Sequence, residues 1–344
     1  MQIEISSFTM NGARLAAQIA EGLRAQGFDV QAWGNARYAE QCGIAPMGGI
    51  ADWAEQRFLT SDALVFVGAT GIAVRTVAPL LRSKLTDPAV VSVDEAGRFA
   101  VALVSGHVGG ANCLARQVAA ITGGQAVVST ATDVNGLFTV DEWIARSGMA
   151  LVNPRAVQAF AAALLDGKPV GFSSEFPVEG ELPEGLQWAE SGAVGLHVGI
   201  HRASPFEQTV YAVPRIVTLG IGCRRGTDQE VIDEAAALAL DREDLFPASV
   251  RGAATIDMKS DEVGLLAFCE KYTMPIRFYS AAELAAVPGE FTASERVLRF
   301  TGVDNVCERA AVIEGGRLIS RKFSHGGVTV AMALSEFHLN FGGE

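Results

Sequence analysis

Cysteine is scarce in this chain, with five in 344 residues, at Cys42, Cys113, Cys223, Cys269 and Cys307. They are scattered and odd in number, with no C-x-x-C pair and no Cys/His cluster at metal-ligand spacing. That excludes a zinc module or a disulfide scaffold and points to reduced thiols in a cytoplasm. No apolar run approaches the ~18–20 residues a membrane helix needs. The first residues, Met1-Gln2-Ile3-Glu4, lack the basic and apolar regions of a secretion signal. The expectation is a soluble, cytoplasmic protein. There is no G-x-x-x-x-G-K-[ST] phosphate loop and no G-x-S-x-G nucleophile elbow, so a P-loop NTPase and an α/β-hydrolase triad are both disfavoured. Positive charge is also short. Lys and Arg number 27 against 39 Asp and Glu, a net charge of −12, which argues against nucleic-acid and anionic-membrane partners. Charged residues make up only 19% against 49% hydrophobic, so the chain can bury a sizeable core.

What is abundant is glycine, and its placement is informative. The alternating run 98–104 reads as a strand and 111–121 as a helix. Between them stand Ser105-Gly106-His107-Val108-Gly109-Gly110, with Asn112 just inside the helix. Strand-to-helix turns are where open α/β sheets bind ligands, because helix-start N–H groups point outward and glycine permits close approach. Histidine adds a side chain that titrates near neutrality. A second such turn follows the strand 62–67. It comprises Gly68-Ala69-Thr70-Gly71, then a helix carrying Arg75. A third follows the strand 215–219, Gly220-Ile221-Gly222-Cys223-Arg224-Arg225-Gly226-Thr227, with Thr227 or Asp228 capping the next helix. Its G-x-G-x-x-x-G spacing matches some dinucleotide sites, which keeps an NADP-dependent oxidoreductase as an alternative.

Charge is uneven in a way that suits an anionic small molecule. Arg75, Arg82 and Lys84 occur with no acid between 74 and 85, and Arg224 and Arg225 stand together inside a glycine loop. A fourth feature is Asp257-Met258-Lys259-Ser260-Asp261-Glu262, where a strand ends and a helix opens. Asp261 and Glu262 read as first-turn acids complementing the helix dipole. Asp257 and Lys259 precede the helix and are not explained that way. His325 sits on a glycine turn between two strands, where a plain hairpin tip is as good a reading as a functional one. His197, His201 and His338 are assigned to structure or surface.

Periodicity predicts strands alternating with helices from residue 3 to 129, with one hairpin around 94–97 that makes the sheet mixed. The region 168–213 contains Pro169, Pro177, Pro183 and Pro205, short β-like runs and an acidic loop, and reads as a small middle segment or elaborate linker. From 215 the α/β pattern restarts, including a capping box at Ser280 and Glu283. The fold class expected is α/β: two layered α/β domains with mixed sheets, 1–130 and 214–344, joined by a smaller middle region, 131–213.

Several stretches together resemble the CbiG family, the cobalt-precorrin-5A hydrolases of anaerobic cobalamin biosynthesis, with a CobE-like C-terminal domain. They are 68–75, 87–91, 103–112, Thr130-Ala131-Thr132-Asp133, 220–227, Ile256-Asp257-Met258-Lys259, 302–308 and 327–333. The resemblance implies a hydrolase that opens the δ-lactone of a cobalt tetrapyrrole and releases a two-carbon fragment as acetaldehyde. It implies no resident cofactor or protein metal site, because cobalt arrives in the substrate. Such chemistry needs a polarised carbonyl, an activated water and a base. His107 is the first choice for the base, with Asp257 or Glu262 behind it. Gly68, Thr70, Gly71, Arg75, Ser105, Gly106, Gly109, Gly110, Asn112, Gly222, Arg224, Arg225, Thr227 and Lys259 are the expected substrate contacts, arginine being suited to carboxylates by its fork of donors. The partner expected is the tetrapyrrole substrate, with a homodimer possible. A non-catalytic carrier of a corrinoid intermediate is the main alternative.

Overall fold

Ala63, Val65 and Val67 face one side of a strand and Leu64 and Phe66 the other, and all five are buried. A strand buried on both faces belongs inside a sheet covered by helices on both sides. The computed structural model describes residues 1–83, 86–106, 109–314 and 316–342, and the chain divides into two units, Met1–Glu142 and Trp143–Glu344.

The first unit holds β1 (Gln2–Ser7), β2 (Asp29–Asn35), β3 (Ala45–Met47), β4 (Ala63–Val67), β5 (Ala89–Val93), β6 (Phe99–Val104) and β7 (Gln125–Val127), in the order β3-β2-β1-β4-β5-β6-β7. Neighbours are parallel except β5 and β6, the expected hairpin. Its turn is fixed by Asp94, whose carboxylate accepts the Phe99 N–H at 2.6 Å. On one face the helix Met10–Ala25 lays Ala16, Ile19 and Leu23 on Ile3, Ile5 and Val65, joined by the helix Ala111–Thr122. Thr9 starts the first of these helices by accepting the Gly12 N–H at 3.0 Å. On the other face Trp53, Phe58, Ala73 and Val77 cover Leu64, Phe66 and Val90. Each Leu, Ile or Phe buried this way is worth about 1.5–3 kcal/mol. The chain leaves β1 toward β2 and later returns to β4 on its other side. The order therefore reverses between β1 and β4, and their carboxyl ends, Ser7 and Val67, mark the place where such sheets bind ligands.

The second unit contains two five-stranded sheets. The segment expected to be a small middle region or linker forms one of them. Its strands are β8 (Ala150–Val152), β9 (Val170–Ser174), β11 (Leu186–Trp188), β12 (Gly192–Val198) and β13 (Phe206–Val213), in the order β11-β9-β12-β13-β8. β10 (Val178–Glu179) pairs instead with the distant β19 (Leu339–Asn340). β12 and β13 are parallel although only residues 199–205 connect them. That link reaches at most about 23–25 Å when extended, just enough to run back along the strand without a helix. The absence of a helical crossover is why periodicity does not reveal this sheet. The other sheet comprises β14 (Val217–Gly222), β15 (Val250–Ile256), β16 (Ile276–Tyr279), β17 (Arg317–His325) and β18 (Val328–Leu334), in the order β16-β15-β14-β18-β17. β14, β15 and β16 are parallel, and β18 runs antiparallel to both of its neighbours. The helices Gln229–Arg242 and Val263–Lys271 cover one face, and the helix Cys307–Val312 lies on the other. The capping box at Ser280 and Glu283 is present.

One polar cluster ties β9 to the stretch after β12. The Glu175 carboxylate accepts the N–H groups of Ile200 at 3.2 Å and His201 at 3.0 Å and meets the His201 ring at 2.8 Å. It also lies 3.5 Å from Nε2 of the buried His197, whose Nδ1 meets Ser173 Oγ at 2.8 Å. His197 is thus structural, as expected. Burial pushes Glu175 up, but the bonds from His197, His201 and Ile200 outweigh it and bring it from 4.5 down to about 2. A depressed carboxylate stabilises the fold above its unfolded value and loses that contribution as pH falls toward the folded one. Glu175→Gln is therefore expected to cost about 2 kcal/mol near neutrality and to lose less further stability between about pH 5 and pH 2.5. Urea midpoints at the two pH values check this. Equal losses in both proteins would contradict it.

Candidate active site

In the first unit the carboxyl end of β4 runs into Gly68, whose N–H donates to the Val93 carbonyl at 2.8 Å. A Cβ there would stand 2.9 Å from the Phe8 ring, so close packing demands glycine. Thr70 opens the helix Thr70–Val77, its hydroxyl 3.1 Å from that of Ser92. Thr70, Gly71 and Arg75 are exposed, and the Arg75 guanidinium has no partner among the described residues. An exposed arginine without a described partner, on the helix that leaves the carboxyl end of β4, is suited to meet a carboxylate.

The turn after β6 is built differently. Ser105 takes a positive φ of 57° and donates from its hydroxyl to the Asp87 carbonyl at 2.9 Å. The Asp87 carboxylate in turn accepts N–H groups from Arg82 and Ser83 at 2.9 and 3.0 Å. A Cβ on Gly109 would sit 2.3 Å from that of Ser105, and one on Gly106 2.8 Å from Asn112 Oδ1. Gly110 holds φ at 83° at the helix start. Asn112 is only 2% exposed. Its Nδ2 donates to Thr130 Oγ1 at 3.0 Å and to Asp133 Oδ2 at 2.9 Å, and Arg116 pairs with the other oxygen of Asp133. Expected as a ligand contact, Asn112 instead pins the loop to 130–133 from inside. His107, the first-choice base, lies outside the described residues.

In the second unit Gly220 lies inside β14, not in the turn after it. A Cβ at Gly220 would stand 1.8 Å from the Cys307 carbonyl, so the residue lets the helix Cys307–Val312 rest on the sheet. A dinucleotide fingerprint needs its first glycine in the turn beneath the phosphates. This glycine serves helix packing, and the oxidoreductase reading loses the motif that carried it. Gly222 ends the strand, and its carbonyl accepts from Thr329 at 3.1 Å. Thr227 closes the loop by donating to the Arg224 carbonyl at 2.8 Å. Asp228, not Thr227, occupies the cap position of the next helix.

The 257–262 segment is a short 3-10 turn, Asp257–Lys259, and the helix begins only at Val263. Glu262 is therefore not a solvated first-turn acid. It is 3% exposed, accepts the Gly226 N–H, and pairs with Lys259 Nζ at 2.9 Å. Burial raises its pKa, but Lys259 and the Gly226 N–H pull it below the ordinary carboxylate range. Burial and two charge-assisted partners make Glu262 poorly suited to act as a general base, and Lys259 is paired with it. The same surroundings act on Cys223, whose thiol is pushed up by burial and only partly offset by Lys259. Arg225 forms a two-pronged pair with Asp261. Arg224 is exposed beside Gly327 and has no side-chain partner among the described residues, and neither has the exposed Asp257. His325 pairs with Glu234 at 3.3 Å on the hairpin, which fits its plain reading.

Sequence reasoning passed over Asn305 and Glu308. Both are buried. Glu308 accepts the N–H groups of Thr292 at 2.9 Å and Lys322 at 2.8 Å, and Asn305 donates to the Thr292 carbonyl at 2.9 Å. They hold the 288–292 stretch against β17, where a cavity of about 440 Å³ is lined by Phe291, Leu318 and Arg321 among others. Both fall in the 302–308 family stretch, and the local signal is an Asn-x-x-Glu spacing at a helix start. Among the described residues, no group of three or more His, Cys, Asp or Glu is placed to hold a metal ion, and no helix is long and apolar enough to cross a membrane.

Residues 52–133 match the family model described as cobalamin synthesis G N-terminal, and residues 217–333 match cobalamin synthesis G C-terminus. A cobalt-precorrin-5A hydrolase from Salmonella typhimurium is 30% identical, with 97% of each chain covered. The chain belongs to the cobalamin synthesis G family. Another relative is a cobalt-precorrin-5A hydrolase from Priestia megaterium, 30% identical over 80% of this chain and 79% of its own. Protein CobE from a Sinorhizobium species is 34% identical over 34% of this chain and 79% of its own. The two family spans enclose the four loops at the candidate site. In this member of the cobalamin synthesis G family, the loops at 68–71 and 105–112 fall in the N-terminal match, and those at 220–227 and 257–262 in the C-terminal one.

Proposed function

We propose that this chain is a cytoplasmic cobalt-precorrin-5A hydrolase that opens the substrate's δ-lactone and releases acetaldehyde. The observation that carries this reading is the end-to-end similarity to a relative of that name, 97% of each chain. Water adds to the lactone carbonyl and its acyl–oxygen bond breaks, leaving a carboxylate and a free hydroxyl. A base takes the hydroxyl proton and the carbon–carbon bond to the macrocycle breaks. Acetaldehyde leaves, and the electron pair stays on the ring and is protonated. Cobalt enters as part of the substrate, and no resident cofactor is invoked. His107 is the proposed base, with Asp257 the remaining alternative once Glu262 is committed to Lys259. Arg75, on the helix that follows β4, and Arg224, in the loop after β14, have no side-chain partner among the described residues and take substrate carboxylates.

Incubation with cobalt-precorrin-5A, with alcohol dehydrogenase and NADH reporting acetaldehyde, is the test. NADH consumption that requires both enzyme and substrate is expected. Tight binding without acetaldehyde would make the protein a carrier instead. Arg75→Ala and Arg224→Ala are each expected to weaken substrate binding by roughly 1.5–3 kcal/mol, the range for hydrogen bonds to charged groups, and binding should weaken with added salt. Titration curves that do not move in either variant would remove these arginines from the site.

A further inference from the structure

The turn that carries Glu262 presents an unusual surface. Met258 is 53% and Val263 79% exposed, and between them Asp261 grips Arg225 through two bonds of 3.0 and 3.2 Å. Arg225 also reaches toward the Met258 carbonyl at 3.5 Å. Both members of the pair are open to water, with side chains 67% and 66% exposed, so their mutual attraction is largely screened and replaceable. The backbone beneath is rigid. Glu262 holds the Gly226 N–H from below, and a Cβ on Gly264 would be 2.0 Å from the Thr227 carbonyl, so the helix start is pressed against the Arg225 loop. Two exposed apolar residues on the same turn as an accessible guanidinium fit a flat apolar ring that carries carboxylate arms.

We propose that Asp261 is an internal stand-in for a ligand carboxylate: a carboxylate arm of the macrocycle displaces it from Arg225 while Met258 and Val263 cover the adjoining ring. The inference rests on the reading of the chain as an enzyme acting on a polycarboxylated tetrapyrrole, and adds to it a subsite with a resident competitor. A group that competes with the ligand has one distinctive property. Its removal improves binding, whereas removal of a merely structural ion pair leaves binding unchanged or harms it. Because the pair is exposed, its loss does not threaten the fold.

The probe is cobalt(III) uroporphyrin, an octacarboxylate, titrated by absorbance against the full-length protein, with its octamethyl ester as the uncharged control. Asp261→Asn and Asp261→Ala are each expected to lower the probe's Kd about 3–10-fold. Adding Arg225→Ala should abolish that gain, Val263→Ser should raise Kd, and the ester should show no gain. An unchanged or higher Kd in both Asp261 variants, with thermal melts like wild type, overturns the proposal. So does a gain that survives loss of Arg225. The acetaldehyde assay on the wild-type protein separates the two readings. Turnover without an Asp261 gain removes the stand-in and keeps the hydrolase. An Asp261 gain without turnover keeps the stand-in and removes the hydrolase. Neither turnover nor probe binding removes both.

Discussion

His107→Ala is expected to slow acetaldehyde release by about 10²–10⁴-fold while substrate affinity stays near wild type. That is the range for loss of a positioned general base. Two arguments support it. In the sequence His107 stands between Gly106 and Gly109, in the segment separating β6 (Phe99–Val104) from the helix Ala111–Thr122. Its competitor Glu262 is removed from contention by its bonds to Gly226 and Lys259. Single-turnover acetaldehyde formation, measured beside an equilibrium titration, separates chemistry from binding. Full activity in His107→Ala transfers the role to Asp257, and Asp257→Asn then carries the same expected loss.

Gly220→Val is expected to unfold the second unit or to cost more than about 3 kcal/mol, at the upper end of overpacking effects. The physical reason is specific. A Cβ at this position would be 1.8 Å from a backbone carbonyl, that of Cys307, with the Ala311 N at 2.8 Å. A flexible side chain can swing away from an added methyl group, but a helix backbone moves only by leaving the sheet. Ala310 and Ala311, themselves buried in that contact, would have to be exposed. Calorimetry or urea unfolding of the variant reads the effect. A melt within a degree or two of wild type would show that the helix–sheet spacing can relax. Gly226→Ala is a useful contrast. It leaves open space around the new Cβ and costs only the strain of φ 73°, so its penalty is expected near 1 kcal/mol.

Much of the local structure is legible from residue order. Leu15, Ile19 and Leu23 mark one face of the helix Met10–Ala25, Ser280 and Glu283 form their capping box, and Asp94 to Gly97 make the hairpin turn. These are contacts within a few residues, and their geometry follows from periods of 2 and 3.6. The three glycine-rich turns were found for the same reason, because each follows a strand and opens a helix. What the glycines do there was not legible. Gly220 and Gly106 are glycines because Cys307 and Asn112 lie against them, a fact about residues 87 and 6 positions away that no spacing rule contains.

Residue order alone determined the α/β class and, with the family stretches, the family and the reaction to expect. Tertiary structure alone decided which of the proposed groups are available. Asn112 and Glu262 are polar residues in promising loops, and burial with complete hydrogen bonding withdraws both from the solvent. Arg75 and Arg224 have no side-chain partner among the described residues, while Arg225 is held by Asp261, 36 positions later, in a pair exposed to water. The sheet at 150–213 likewise depended on pairings such as His197 with Tyr211 and Tyr211 with Val152. A polar side chain's role is set by which partner reaches it and how deeply that pairing is buried. That partner comes from a distant segment, so only the folded chain decides it.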